Sequence, residues 1–202
     1  MKRLFTASLL ILALPLLMPG AQGAEALEVG ASMPKMDVEM KNVDGGMLTL
    51  EEIRGEKGTL VIFSCRHCPF VQKWQQRMVE IGNTYRKKDV GVVFINSNDP
   101  ERFPEDRFES MQEQAEENGY HFPYVMDLTS AVAKAFGARR TPEAFLFNKD
   151  DELVYHGAID DNLNHPDKVK KPFLRDALDA LLKGETPPRQ KTPSIGCSIK
   201  LR

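Results

Sequence analysis

Cysteine is scarce in this 202-residue chain, with three in all, and an odd number leaves at least one thiol unpaired in any scheme. A structural zinc needs four ligands. Cys65 and Cys68 form one close pair and Cys197 is the only other cysteine, so an all-cysteine zinc site has too few sulfurs. Internal repeats and low-complexity tracts are missing, which removes solenoid and array architectures. No stretch interleaves Lys and Arg with aromatics, and 27 basic against 29 acidic residues give a net charge of -2. The sequence therefore carries no nucleic-acid footprint. Its length accommodates one domain with a sizeable core and leaves no room for an independent second one.

The first residues are present for a different reason than folding. Lys2 and Arg3 precede an apolar stretch from Leu4 to Met18, followed by Pro19, Gly20 and small residues. This is the pattern of a secretory signal peptide. Cleavage after Gly23, with Ala21 and Gly23 as the small pair, is preferred over cleavage after Ala26. The apolar stretch is shorter than the ~20 residues of a spanning helix and contains Pro15, so no membrane span is expected once the leader is removed. No cysteine follows the run to serve as a lipoprotein anchor. The expected layout is a signal peptide over residues 1–23, a domain over 24–184 and a tail over 185–202, in a periplasmic or secreted protein. In such an oxidising compartment a close cysteine pair is either a structural disulfide or a redox-active one.

Residues 36–40 and 47–50 flank the Gly-rich turn at Gly45-Gly46 and predict a hairpin. Thr49 and Glu52 have capping-box spacing for one helical turn that Gly55 ends. Leu60-Val61-Ile62-Phe63 is a continuous apolar run, as expected of a strand covered on both faces. Cys65 follows at its carboxyl end. Val71, Trp74, Met78, Ile81 and Tyr85 then recur at helical spacing. Val92-Val93-Phe94-Ile95 reads as a second buried strand, so the unit is strand, helix and parallel strand with a right-handed crossover. Residues 96–124 read as an insertion with a helix over 106–118, opened by Asp106 and Glu109 at capping spacing. A short strand over 124–126, a helix over 128–136 ended by Gly137, a hairpin over 144–155 and an amphipathic helix over 173–182 complete the domain.

Cys65-Arg66-His67-Cys68 sits between the buried strand and the helix, where open α/β sheets bind ligands. Disulfide exchange needs an attacking thiolate and a second thiol to release the mixed disulfide. Unpaired N–H groups and the positive dipole at the helix start favour a thiolate. Cys65 is read as the nucleophile and Cys68 as the resolver, with Arg66 and His67 as neighbouring cations that lower the thiol pKa. Stabilising the reduced thiolate pushes such a centre toward oxidising behaviour.

This strand-CxxC-helix unit, the Gly137 to Thr141-Pro142 junction running into Phe145-Leu146-Phe147, and the hairpin ending at Gly157 resemble the thioredoxin superfamily. The N-terminal hairpin, the insertion and the phrase Ile95-Asn96-Ser97-Asn98-Asp99 are similar to its redoxin branch, related to alkyl hydroperoxide reductase and thiol-specific antioxidant proteins. The resemblance runs from about Gly30 to the C-terminus. It implies an α/β thioredoxin-like fold, a central mixed sheet flanked by helices with an N-terminal β-hairpin and a helical insertion. It also implies that Pro142 is a cis-proline facing the cysteine pair, and that the Thr141 backbone pairs with an extended substrate segment. Two features depart from the pattern. The buried acid that thioredoxin places six residues before its first cysteine is replaced by Thr59, and neither Cys65 nor Cys68 is preceded by the Pro-x-x-x-Thr-x-x-Cys arrangement of peroxiredoxins.

The function expected is thiol–disulfide oxidoreduction on protein thiols and disulfides outside the cytoplasm, with a redox partner that supplies or removes electrons. No cofactor and no metal site are assigned. A thiol-dependent peroxidase is one alternative. A copper-binding assembly factor is another, using Cys65, Cys68 and a His or one of Met33, Met36 and Met40, since thiolates select Cu(I). Trp74 reads as core, and His121, His156 and His165 as surface or loop residues. Cys197 reads as inert or as a contact to another molecule.

Overall fold

Strand β3 (Gly58–Phe63) is buried at every residue and pairs on one side with β4 (Val90–Asn96) in parallel and on the other with β7 (Glu143–Asn148) antiparallel. The computed structural model describes residues 26–202, so the signal peptide read over 1–23 lies outside the described residues. Around β3 the sheet extends to seven strands. Hairpin strands β1 (Met40–Asn42) and β2 (Met47–Leu48), then β5 (Tyr124–Met126), lie beyond β4, and β8 (Leu153–Gly157) lies beyond β7. The order is β2-β1-β5-β4-β3-β7-β8. Strands β3, β4 and β5 are mutually parallel, while β1, β7 and β8 run antiparallel to their neighbours.

Alternation along β3 explains why its sequence is apolar throughout. Leu60 and Ile62 join the core formed by Val71, Trp74 and Met78 of α2 (Pro69–Arg86) and Leu174 and Leu178 of α5 (Phe173–Leu182). Val61 and Phe63 point the other way, to Leu50 and Ile53 of α1 (Leu50–Ile53) and Val132 and Phe136 of α4 (Ala131–Phe136). There Phe63, Phe136 and Phe145 meet edge to face, with ring centroids 5.4, 5.7 and 5.3 Å apart. That geometry suits the aromatic quadrupole and adds to the area buried. Trp74 is core, as expected, and its indole N–H donates to Asp160 at 2.9 Å. Among the described residues no helix is long and apolar enough to cross a membrane.

The capping box forms as read: the Thr49 hydroxyl accepts from the Glu52 amide and Glu52 reaches back to the Thr49 amide at 2.8 Å. Several boundaries differ, each with a local cause. Residues 36–39 are not strand; Met36 and Asp37 form a turn entered at Lys35 with a positive φ of 55°, and the Met36 carbonyl accepts from Glu51 of α1. The helix read over 106–118 splits into a 3-10 turn at Pro104–Asp106 and α3 (Phe108–Glu117), with Arg107 extended between them. Asp106 does not cap Glu109, because its carboxylate is taken by residues of the cysteine motif. Helix α4 begins three residues later than expected, after Ser130 turns through a positive φ of 54°.

Residues 185–202 are packed onto the domain. Gln190 and Thr192 bond the backbone of His156, and β9 (Cys197–Ser198) pairs antiparallel with β6 (Arg140–Thr141). Ile199 and Leu201 pack against the α1–α4 side of the core.

Gly55 marks the closest approach between α1 and the sheet. A Cβ there would lie 2.0 Å from the Gly91 amide nitrogen of β4, and both partners are backbone. Gly55→Ala is therefore expected to destabilise the domain by about 3 kcal/mol, the upper part of the overpacking range. Urea unfolding measures it, and a midpoint equal to wild type would show that the two elements separate freely.

Candidate active site

The carboxyl end of β3 delivers Cys65, and Cys68 is the N-cap of α2, with Pro69 at the first helical position, where the missing N–H costs nothing. All three cysteines are free thiols. Facing the pair is the junction Thr141-Pro142, whose peptide bond is cis, as the resemblance implies. Thr141 contacts both sulfurs: its Oγ1 lies 3.3 Å from Cys65 Sγ, and its carbonyl accepts from Cys68 Sγ at 3.1 Å. The two cysteine side chains are 0% exposed.

The surprise is what covers them. Antiparallel register sets Thr141 opposite Cys197, so the C-terminal strand occupies the edge expected to receive a substrate segment. The Cys197 side chain packs against the cluster that contains Cys65 and Cys68, and its thiol and amide favour the Cys68 thiolate. Three thiols thus form one cluster, with Cys68 in the middle.

An acid missing from Thr59 is supplied from the insertion. Thr59 is buried at the start of β3, where its hydroxyl accepts from Gly55 at 3.4 Å. Asp106, fully buried, accepts from the amides of Arg66 and His67 at 2.8 and 3.3 Å, from His67 Nδ1 at 2.5 Å and from Asn98 at 2.7 Å. Four donors compensate the desolvation of this carboxylate. His67 also stacks on Phe103 at 5.2 Å. Arg66, by contrast, turns to α3, bonding the Ser110 carbonyl and pairing with Glu113 at 2.9 Å and Glu117 at 3.5 Å. Its guanidinium contributes to docking the insertion, while His67 is the motif side chain that stays with the thiols.

The sulfurs share their protons unequally. The Cys65 thiol is raised well above its ordinary value, first by donating to Cys68, then by burial and by the charge of Asp106, with the Thr141 hydroxyl opposing. Cys68 is drawn down to about 4, chiefly by the Cys65 thiol; burial opposes this, and the Cys197 thiol and the amides of Val71 and Cys197 support it. The helix-start stabilisation expected at Cys65 therefore falls on Cys68, the residue at the N-cap. Of the two sulfurs, Cys68 is the one favoured as thiolate and Cys65 the one favoured as thiol. Ligand atoms of Cys65, His67 and Asp106 lie within 4.8 Å of one another.

A second buried pair holds the proline junction. Glu143 accepts from the amides of Arg139 and Arg140 at 2.7 and 2.9 Å, from His156 Nε2 at 2.7 Å and from Ser194 at 3.2 Å. His156 is thus buried on β8 and stacked on Phe145 at 4.3 Å, not the surface residue read from sequence. His121 and His165 are exposed, as expected. Met33 and Met40 fill the core, and Met36 packs at its margin. Asp106, Glu143 and His156 join the site without a motif of their own; only the absence of an acid at Thr59 signals that one could come from elsewhere.

The model of the AhpC/TSA family matches residues 29–156. A thiol-disulfide oxidoreductase ResA of Halalkalibacterium halodurans is 27% identical over 115 residues, 57% of this chain and 61% of that protein, so the chain aligns with less than two thirds of that relative's length. Two crystal structures share the architecture. An uncharacterized conserved protein from Geobacillus kaustophilus has 44% identity and a TM-score of 0.81 over 87% of this chain and 93% of its own. A hypothetical protein from Sinorhizobium meliloti has 35% identity and a TM-score of 0.81 over 88% and 97%.

Two outcomes follow from the charges. In a background where Cys68 and Cys197 are serine, Asp106→Asn removes a negative charge from beside Cys65. The pH midpoint of Cys65 alkylation by iodoacetamide should move down, and an unmoved midpoint would place Asp106 outside the electrostatics of that thiol. Burial would raise the Glu143 carboxyl, but His156 and the two amides outweigh it and hold the group below its ordinary 4.5. A depressed folded value adds stability that is fully present above the unfolded value and is lost as pH falls through the lower folded one. Glu143→Gln should thus lower the Tm at neutral pH, consistent with about 3 kcal/mol for breaking a buried pair. The gap from wild type should narrow on acidification below about pH 4.5; a gap constant down to pH 3 (about one unit lower still, well inside the carboxylate range) would exclude this linkage.

Proposed function

The chain belongs to the AhpC/TSA family, and from that membership together with its paired thiols we propose that it is a thiol–disulfide oxidoreductase acting on extended protein segments outside the cytoplasm. One observation carries the reading: both sulfurs of Cys65-x-x-Cys68 contact Thr141 across a cis Thr141–Pro142 bond at the carboxyl end of a buried strand. The relative's name, thiol-disulfide oxidoreductase, supports the same chemistry. The N-terminal pattern of Lys2, Arg3 and the apolar run supports the location.

In the reducing direction Cys65 attacks a substrate disulfide. Its proton passes to His67, whose ring is oriented by Asp106, the arrangement of an activated thiol, a base and an orienting acid. The substrate S–S bond breaks, the Cys65–substrate bond forms, and the first substrate sulfur leaves and takes up a proton. The Cys68 thiolate then attacks Cys65 Sγ and expels the second substrate sulfur, which takes up a proton from solvent. Two substrate thiols and a Cys65–Cys68 disulfide result, so the protein is oxidised by two electrons as the substrate is reduced. The same steps reversed introduce a disulfide. Substrate recognition follows the geometry already adopted by β9, an extended strand paired to Thr141, which is strand addition.

Insulin reduction driven by dithiothreitol tests the proposal. Wild type should accelerate precipitation of the insulin B chain, Cys65→Ser should fall to the uncatalysed rate, and His67→Gln should lose about 100-fold at neutral pH, as expected for a missing general base. Equal rates for wild type and Cys65→Ser would overturn the assignment.

A further inference from the structure

Cys197 does not sit beside the active pair by chance of a loose tail. Gly196 lies so close to the proline junction that a Cβ would come within 2.2 Å of the Thr141 carbonyl oxygen, and the Arg140 guanidinium donates to the Gly196 carbonyl at 3.3 Å. Beyond the strand, the Ile199 amide donates to Arg139 O at 3.0 Å. Lys200 N donates to Asn98 at 2.7 Å and its carbonyl accepts from Asp99 at 2.8 Å. Arg202 pairs with Asp99 at 3.1 Å. Contacts on both sides of Cys197 thus fix its position, and its side chain packs against the apolar cluster that contains Cys65 and Cys68.

We propose that Cys197 is a third redox thiol of the centre, which exchanges with the Cys65–Cys68 disulfide to form a Cys68–Cys197 disulfide beneath the tail and release Cys65 as a thiol. The proposal rests on the reading of Cys65 and Cys68 as a redox pair. In this step the Cys197 sulfur attacks Cys68 Sγ, the Cys65–Cys68 bond breaks, and the proton lost by Cys197 is returned to Cys65 by way of His67. One disulfide and one thiol are present before and after, so no outside oxidant or reductant enters. Because the docked strand already holds the sulfurs within reach, the exchange is intramolecular at high effective concentration.

The electrostatics favour the step in the oxidised protein. In the dithiol, burial and then the bond to Cys68 and its charge push the Cys197 thiol up to about 11, with Lys200 and Arg140 opposing. Once Cys68 is in a disulfide its charge is gone, and Lys200 and Arg140 still favour the Cys197 thiolate. Cys197 becomes a better nucleophile when a disulfide is there to attack.

The test uses the whole protein, with an acid quench, alkylation and mass mapping; trypsin cleavage after Arg66 separates Cys65 from Cys68. Oxidised wild type should yield both Cys65–Cys68 and Cys68–Cys197 linked peptides. Cys65→Ser, titrated with glutathione redox buffer, should form the Cys68–Cys197 bond at least about tenfold more readily when folded than in urea. Adding Gly196→Ala to that variant, which displaces the strand, should erase the advantage. Folded Cys65→Ser that gives only glutathione adducts or intermolecular dimers would overturn the proposal, as would wild type that gives Cys65–Cys68 alone. In that last case active insulin reduction leaves the oxidoreductase reading standing. An absent Cys65–Cys68 bond with no insulin reduction marks failure of the reading itself.

Discussion

Thr141 is the residue on which the site depends. Its hydroxyl touches Cys65, its carbonyl takes the Cys68 thiol, its peptide to Pro142 is cis, and its backbone is paired with Cys197. The cysteine motif and the C-terminal strand, from opposite ends of the domain, thus meet at one residue. The placement of Thr141 is in turn fixed by β7, which begins at Glu143 and runs antiparallel to β3, so the strand that delivers Cys65 also registers the loop that faces it. Glu143 closes the arrangement from below by gathering the Arg139 and Arg140 amides, His156 and Ser194 onto one buried carboxylate. A buried acid with this many donors is a rigid node, because losing any one donor exposes the charge to an apolar interior.

Asp106 plays the matching part on the opposite side of the thiols. Its carboxylate accepts two motif amides and the His67 ring, which ties the insertion to the loop between β3 and α2. The result explains a sequence feature that otherwise looks like a loss. Thioredoxin's acid approaches its cysteines from within the strand that precedes them; here the strand position is Thr59, and the charge arrives from a segment placed after β4. The insertion therefore packs directly against the cysteine motif, where Arg66 also pairs with its Glu113 and Glu117.

The fold was legible where periodicity and turn chemistry act locally. The runs at Leu60–Phe63 and Val92–Ile95, the stripe from Val71 to Tyr85, the Thr49–Glu52 box and Gly137 all read correctly, because each is decided by residues within one element or at its end. The cysteine pair and Pro142 were legible through spacing and resemblance. What could not be read was set by long-range pairing. Asp106 has the spacing of a helix cap and is drawn off to His67, 39 residues away. His156 looks like any polar residue of a hairpin and is buried by its bond to Glu143. Cys197 reads from sequence as inert or as an outside contact because its neighbour is set by a backbone register, Thr141 against Cys197, and strand register between distant segments has no local signature.

The source of any oxidising bias also moves. Arg66 and His67 look from sequence like the cations that stabilise a thiolate, yet Arg66 faces α3. Stabilisation comes instead from donors converging on Cys68: two neighbouring thiols and the amides of Val71 and Cys197. Favouring the reduced form by this route makes the disulfide the stronger oxidant. Two of those donors, the thiol and the amide of Cys197, belong to the tail. A substrate segment that paired along Thr141, as proposed, would take the place of that strand and remove those donors from Cys68. On that proposal, access to the thiols and the stabilisation of Cys68 would meet in one backbone pairing, Thr141 against Cys197.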